Sequence, residues 1–230
     1  GAISRPNAWW PSQYFAFDES KVGAGASFHV VHEAPTGELD GYVTYSIEHN
    51  WDNGIPRNVL GIRELTTATA PARRALSQYV SGVDLVETIR TWNSPADEAL
   101  RWMLRESRRL RVTRLHDQLW LRFVDVAAAL ASRTYALEGE LVIEVEDAFR
   151  PGAGGRFRLA GGPDGAECRR TSAEPDLCCR APELASMFLG GVRPRELARA
   201  GLVEEAVDGA LARADAMFAV DPLPYSQTWF

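Results

Sequence analysis

Histidine and cysteine, the side chains that build most metal centres and thiol active sites, are scarce here, at four and three in 230 residues. His29, His32, His49 and His116 fall into no HxxxH or HExxH spacing. His29 and His32 are three apart in a strand-like run, so they face opposite sides. Cys178 and Cys179 are adjacent and Cys168 stands apart, which yields no CxxC pair and no disulfide framework. This usage fits a reducing, cytosolic setting with the thiols as small buried hydrophobes, and no metal site is expected. Long apolar runs are also lacking, so no membrane span is expected. No GKS, GKT or GxSxG occurs. The glycines at Gly152, Gly154 and Gly155 lie between two strand-like runs, outside the strand-to-helix context of a dinucleotide loop. There is no initiating methionine and no basic leader. Gly1-Ala2-Ile3-Ser4 therefore reads as the middle of a longer polypeptide.

What is present is ordinary globular material. Hydrophobic residues make up 46% and charged residues 24%, enough for one large domain or two smaller ones. A net charge of −6 argues against a nucleic-acid surface and favours cationic partners.

Periodicity orders the chain. Ser4 to Trp10 reads as a helix start, followed by a dense aromatic group of Trp9, Trp10, Tyr14, Phe15 and Phe17. Ser27–Glu33, Gly41–His49 and Arg57–Thr67 read as strands, the second with clear period-two alternation. A helix follows from Thr69, its cap, to Gly82, with Pro71 in the first turn. Val83–Trp92 reads as a strand and Asn93 to about Leu104 as a further helix. After the basic stretch Arg105–Arg114, read as a solvated or interface face, Leu119–Val124 is strand-like. Asp125 caps a short helix. Strands are expected at 140–146, 156–160, 166–171 and 177–180, then helices at 181–189, 194–200 and 203–218. Strands followed by helices mark two α+β units, the first built on a largely antiparallel sheet.

Two places carry candidate chemistry. At the junction Leu65 to Leu76, an anion-binding helix start would want glycines, but alanines and Pro71 stand there, so a cofactor site in this unit would be degenerate. The chain closes on Trp229 and Phe230, with no charged residue after Asp221. Such an end either plugs an apolar groove or carries a terminal carboxylate into the protein, where it must find donors or accept a raised pKa. Asp117, read first as a turn residue or cap, could join that carboxylate in an acidic floor for a cationic amine.

Several separated blocks resemble the Eis (enhanced intracellular survival) family of acetyltransferases, over essentially the whole chain. They are Leu39 to Tyr45, Val59 to Thr69, Asp117 to Leu130, Ser186 to Gly191 and the aromatic terminus. The resemblance implies an α+β fold with a degenerate GNAT-like mixed sheet and flanking helices at 1–110, N-terminally truncated. A sterol carrier protein 2-like α+β domain with a C-terminal tail would occupy 111–230. It implies an N-acetyltransferase whose acetyl-CoA is bound by an N-terminal GNAT domain absent from this sequence, along with the tyrosine thought to act as general acid. The 230-residue piece is accordingly expected to be inactive alone. Phe230 would supply its carboxylate as general base. Asp117 and Trp229 would line the pocket for an amine, aminoglycoside-like or another cation. Where well-studied members have an acidic penultimate residue this chain has Trp229, exchanging a negative charge for an aromatic wall. The resemblance also implies a hexameric homo-oligomer and a cytoplasmic protein. The alternative reading is a lipid- or sterol-binding carrier module, or an oligomerisation scaffold.

Overall fold

A computed structural model of the chain describes residues 4–16 and 25–228. These residues fall into two compact units. Residues 4–16, 25–114 and 225–228 make up the first, and residues 115–224 the second. By their contacts, Tyr225–Thr228 group with the first unit.

The first unit opens on one π-helical turn, Trp10–Tyr14. Strands β1 (Phe28–Glu33) and β2 (Leu39–Glu48) pair antiparallel. A small hairpin, β3 (Trp51–Asp52) and β4 (Ile55–Pro56), turns at Asn53-Gly54, both with positive φ, as a two-residue hairpin turn requires. Strand β5 (Asn58–Thr67) pairs antiparallel with β2, and β6 (Val86–Thr91) pairs parallel with β5. The sheet order is β1-β2-β5-β6, a mixed sheet that is antiparallel in two of its three ladders.

Helix α1 (Ala70–Ser81) makes the crossover between β5 and β6 and packs across β1, β2 and β5. Its buried Ala72, Leu76 and Val80 recur every four residues and so form one stripe. Leu76 and Val80 meet Val43, Tyr45, Leu60 and Ile62 from the sheet. Thr69 caps the helix by accepting from the Ala72 amide at 3.2 Å, and Gly82 ends it.

One irregularity in this sheet matters for everything nearby. Tyr45 pairs with Ile62 but Thr44 pairs with Glu64, which leaves Arg63 as an extra residue, a β-bulge. The bulge shifts parity along β5. Leu60 and Ile62 face α1 ahead of it and Leu65 joins that core after it. Glu64 and Thr66 are thereby thrown to the opposite face, beside Thr44 and Tyr42.

The second unit is a five-stranded sheet in the order β11-β10-β7-β8-β9. Its elements are α3 (Val126–Ala131), β7 (Gly139–Glu146), β8 (Gly155–Gly162), β9 (Gly165–Arg170), β10 (Leu177–Arg180), α4 (Ala181–Phe188), α5 (Pro194–Arg199), β11 (Val203–Glu205) and α6 (Ala210–Phe218). Only β10 and β7 run parallel. Alternate residues of the strands, Leu141, Ile143 and Val145 with Phe157, Leu159 and Leu177, turn inward onto Leu130, Leu184, Met187, Met217 and Phe218 from the helices. Asp125 caps α3, its carboxylate accepting from the Ala128 amide at 3.0 Å.

Three elements differ from the sequence reading. The helix expected from Asn93 to Leu104 is confined to α2 (Leu100–Met103), and Asn93 lies in an irregular segment. The strand expected at Leu119–Val124 is irregular and has no ladder partner among the described residues. Strand propensity describes side chains that suit a pleated surface, and a strand exists only where another pairs with it. Phe123 turns into the core, and Arg122 grips Asp147 at 2.6 and 2.7 Å. The helix expected over 203–218 is split. Val203–Glu205 pairs with β10 instead, and Gly209, at φ 86°, interrupts the chain before α6.

Replacing Leu159, which is fully buried, by alanine should cost about 2–5 kcal/mol in urea denaturation through lost transfer energy and the cavity left behind. Trp120→Ala, at an 85% exposed ring, should stay within about 0.5 kcal/mol of the parent.

Candidate functional site

On the face to which the bulge directs Glu64 and Thr66, the chain's last described residues are held side chain by side chain. Arg5 donates from Nη1 to Glu64 Oε1 at 2.7 Å and from Nε to Thr228 Oγ1 at 2.9 Å. Thr66 Oγ1 donates to Gln227 Oε1 at 2.8 Å, and Gln227 Nε2 donates to the Leu65 carbonyl at 3.4 Å. Asn93 Nδ2 donates to the Ser226 carbonyl, while the Asn93 carbonyl accepts from the Tyr225 hydroxyl, each at 3.1 Å. Ser226 Oγ folds back onto the Thr228 carbonyl at 3.2 Å. Thr228 is 8% exposed. Residues 225–228 are thus tied at four consecutive positions.

Electrostatically the site is closed. Arg5 and Glu64 form an ion pair with both side chains largely out of solvent. The guanidinium also lies over Trp9 and Trp10, 4.4 and 5.2 Å from the ring centroids. Burial pushes the Tyr225 hydroxyl up to about 12, and the Glu64 carboxylate adds to the effect. Burial likewise raises Tyr42. Both phenols are therefore protonated near neutrality and act as hydrogen-bond donors. No described residue here is arranged as a nucleophile with a base beside it. The site's capacity is to bind and fix a peptide segment.

The start of α1 is occupied by the protein's own groups. The Asp40 carboxylate accepts from Thr69 Oγ1 and meets His32 Nδ1, each at 2.5 Å, and the Ala68 amide donates to the Asp40 carbonyl at 2.8 Å. Of the two arginines in the first turns, Arg73 is paired with Glu98 and Arg74 is exposed. A carboxylate thus stands where a pyrophosphate would need to approach. Among the described residues no group of three or more His, Cys, Asp or Glu is placed to hold a metal ion.

Of the residues singled out from sequence, Trp229 and Phe230 lie outside the described residues, immediately after the anchored Thr228. Asp117 is exposed on the irregular segment ahead of α3, in the second unit, without a hydrogen bond or ion pair among the described residues. Arg5, Glu64, Thr66 and Asn93 escaped the sequence reading. Glu64 carried a usable signal, a carboxylate in an apolar strand that must find a partner if buried. Asn93 carried a misleading one, since Asn-Ser-Pro also opens helices.

Comparison with known proteins matches two family models, one after the other along the chain. The acetyltransferase (GNAT) domain family matches residues 1–123, and the sterol carrier protein domain family matches 126–227. An uncharacterized N-acetyltransferase of Streptomyces avermitilis is 36% identical over 233 residues, covering all of this chain and 55% of that protein. The N-acetyltransferase Eis of Mycobacterium tuberculosis is 34% identical over 224 residues, covering 96% of this chain and 51% of Eis. The crystal structure of Eis1 from Mycobacterium abscessus superposes with a TM-score of 0.80 at 32% identity, covering all of this chain and 56% of that one. The chain thus spans about half the length of the relatives it matches.

Two consequences can be measured. Arg5→Ala removes the ion-pair partner of buried Glu64 and leaves it only the Tyr42 hydroxyl; it should cost about 3 kcal/mol in denaturation, whereas Arg5→Met with Glu64→Leu should recover most of that loss. Asp40 is held below its ordinary carboxylate range, first by the Thr69 hydroxyl and then by His32. A carboxyl depressed in the folded state stabilises above its unfolded pKa of about 3.9, and that contribution is lost as pH falls through the folded value. Thermal melts should therefore show a shallower decline below pH 4 for Asp40→Asn than for the parent.

Proposed function

Because the chain belongs to the GNAT acetyltransferases and is homologous to the Eis N-acetyltransferases, we propose that it is the C-terminal portion of an acetyl-CoA-dependent N-acetyltransferase acting on amines. In this reading acetyl-CoA is bound by an N-terminal GNAT domain outside the 230 residues. The present chain contributes the Phe230 carboxylate as general base and, through Asp117 and Trp229, part of the wall around a cationic amine, aminoglycoside-like or other. Assembly as a hexamer in the cytoplasm belongs to the same reading.

The anchored tail is the observation that carries it. Two residues extend at most about 7 Å, and Thr228, the residue before Trp229-Phe230, is itself a buried, hydrogen-bonded point. That is what a base needs, since proton transfer requires a group within hydrogen-bond reach of the proton it takes. An α-carboxyl of ordinary pKa about 3.3–3.7 is a weak base at neutrality, and burial beside aromatic rings raises it. Its task is to take the proton from the ammonium, leaving the nitrogen lone pair free for acetyl transfer. The capped, carboxylate-guarded start of α1 supports placing the cofactor elsewhere, and the net charge of −6 suits a cationic substrate.

The decisive comparison uses the full-length protein carrying either one added glycine after Phe230 or no Phe230. Both changes displace the carboxylate, and kcat should fall about 10²–10⁴-fold, the usual worth of a general base, with KM for acetyl-CoA unchanged. Wild-type kcat in both variants would remove the base assignment. The 230-residue chain by itself should show no saturable acetyl-CoA binding in calorimetry; saturable binding would contradict the placement of the cofactor in another domain.

A further inference from the structure

The ladder between the parallel strands β5 and β6 holds from Asn58–Val86 to Ile62–Thr91 and then stops. Beyond it β5 continues to Thr67 with β2 alone as partner, while the chain leaves β6 through Trp92 and Asn93. Two parallel strands that part at their carboxyl ends leave a notch, and in open sheets a crevice at that end is where ligands bind. Backbone and side-chain polar groups on both arms lose their neighbour there and need new partners. Here one segment bonds to both arms. Gln227 engages Thr66 and the Leu65 carbonyl on the β5 side, and Tyr225 and Ser226 engage Asn93 on the β6 side.

We propose that the notch between β5 and β6 is a peptide-binding site occupied by the chain's own residues 225–228, with Asn93 as the positioning residue that sets their register. Residue 93 contacts two successive tail residues with opposite polarity: the Asn93 side-chain amide gives a hydrogen bond to the Ser226 carbonyl, and its main-chain carbonyl takes one from the Tyr225 hydroxyl. Thr91 Oγ1 also donates to the Asn93 carbonyl at 3.1 Å and so fixes its direction. On the opposite arm the Gln227 amide is oriented by accepting from a hydroxyl and donating to a carbonyl, which a slipped register could not reproduce. The ligand class follows from these contacts. It is an extended, uncharged peptide with an aromatic hydroxyl, a serine or similar backbone acceptor, and a side-chain amide at successive positions. The claim that this register also places the base rests on the function proposed above; occupancy of the notch does not.

The test separates the two. Full-length protein truncated after Pro224 is titrated with the hexapeptide Tyr-Ser-Gln-Thr-Trp-Phe, once as the free acid and once as the C-terminal amide. Both peptides should bind saturably, and Asn93→Ala should weaken each about 5–10-fold, as loss of the one part-buried hydrogen bond that the Asn93 side chain makes would. Only the acid should restore acetylation. Restoration by neither, with binding intact, refutes the terminal carboxylate as base while supporting the notch. In the untruncated protein, Asn93→Ala should speed amide exchange at residues 226–228 and lower kcat without moving KM for acetyl-CoA or the melting temperature. Unchanged exchange in both Asn93→Ala and Thr66→Val, together with no binding of either peptide, overturns the proposal.

Discussion

A single extra residue in β5 organises the chemistry of the first unit. Without the bulge at Arg63, strict alternation would carry the pattern of Leu60 and Ile62 onward, so that Glu64 and Thr66 faced α1 and Leu65 faced away. A carboxylate would then sit unpaired in the apolar core, at a cost no nearby group could offset. With the bulge, the polar pair faces Arg5 and the tail. The buried Arg5–Glu64 pair becomes possible only in that setting, and the pair in turn gives Thr228 its partner.

The two units use their apolar surface differently. In the second, inward strand residues and helix residues share one core, its centre filled by Leu141, Ile143, Phe157, Leu159 and their neighbours. In the first, α1 closes one face of the sheet. The opposite face is covered by the Trp10–Tyr14 turn, by Arg5 on its indole neighbours and by the tail, all loop-like and joined through polar contacts. Rigid scaffolds commonly carry their function on such loop-covered surfaces. On the proposed reading, the terminal carboxylate is delivered by this arrangement instead of by a strand or helix end.

Most of the regular structure was legible in advance because it rests on local patterns. The Thr69 cap with Pro71, the Asp125 cap, the alternation in β2 and β7 and the Gly82 stop are each decided within a few residues. The misread elements depend on distant partners. Leu119–Val124 has strand composition and no strand beside it, Val203–Glu205 is helical in composition but is claimed by β10, and the polar Asn93 is drawn to the tail.

The sequence by itself determined the kinship, the two α+β units and the aromatic close of the chain, because those reside in local composition and in blocks that need no partner to be recognised. Only the tertiary structure decided where Glu64 and Thr66 face, which residues hold the tail, and that the notch beyond Ile62 is filled by residues 225–228. The reason is physical. A bulge and a long-range hydrogen bond are settled by the pairing of segments far apart along the chain, Arg5 with Thr228 and Asn93 with Ser226, and one-dimensional pattern holds no term for that pairing.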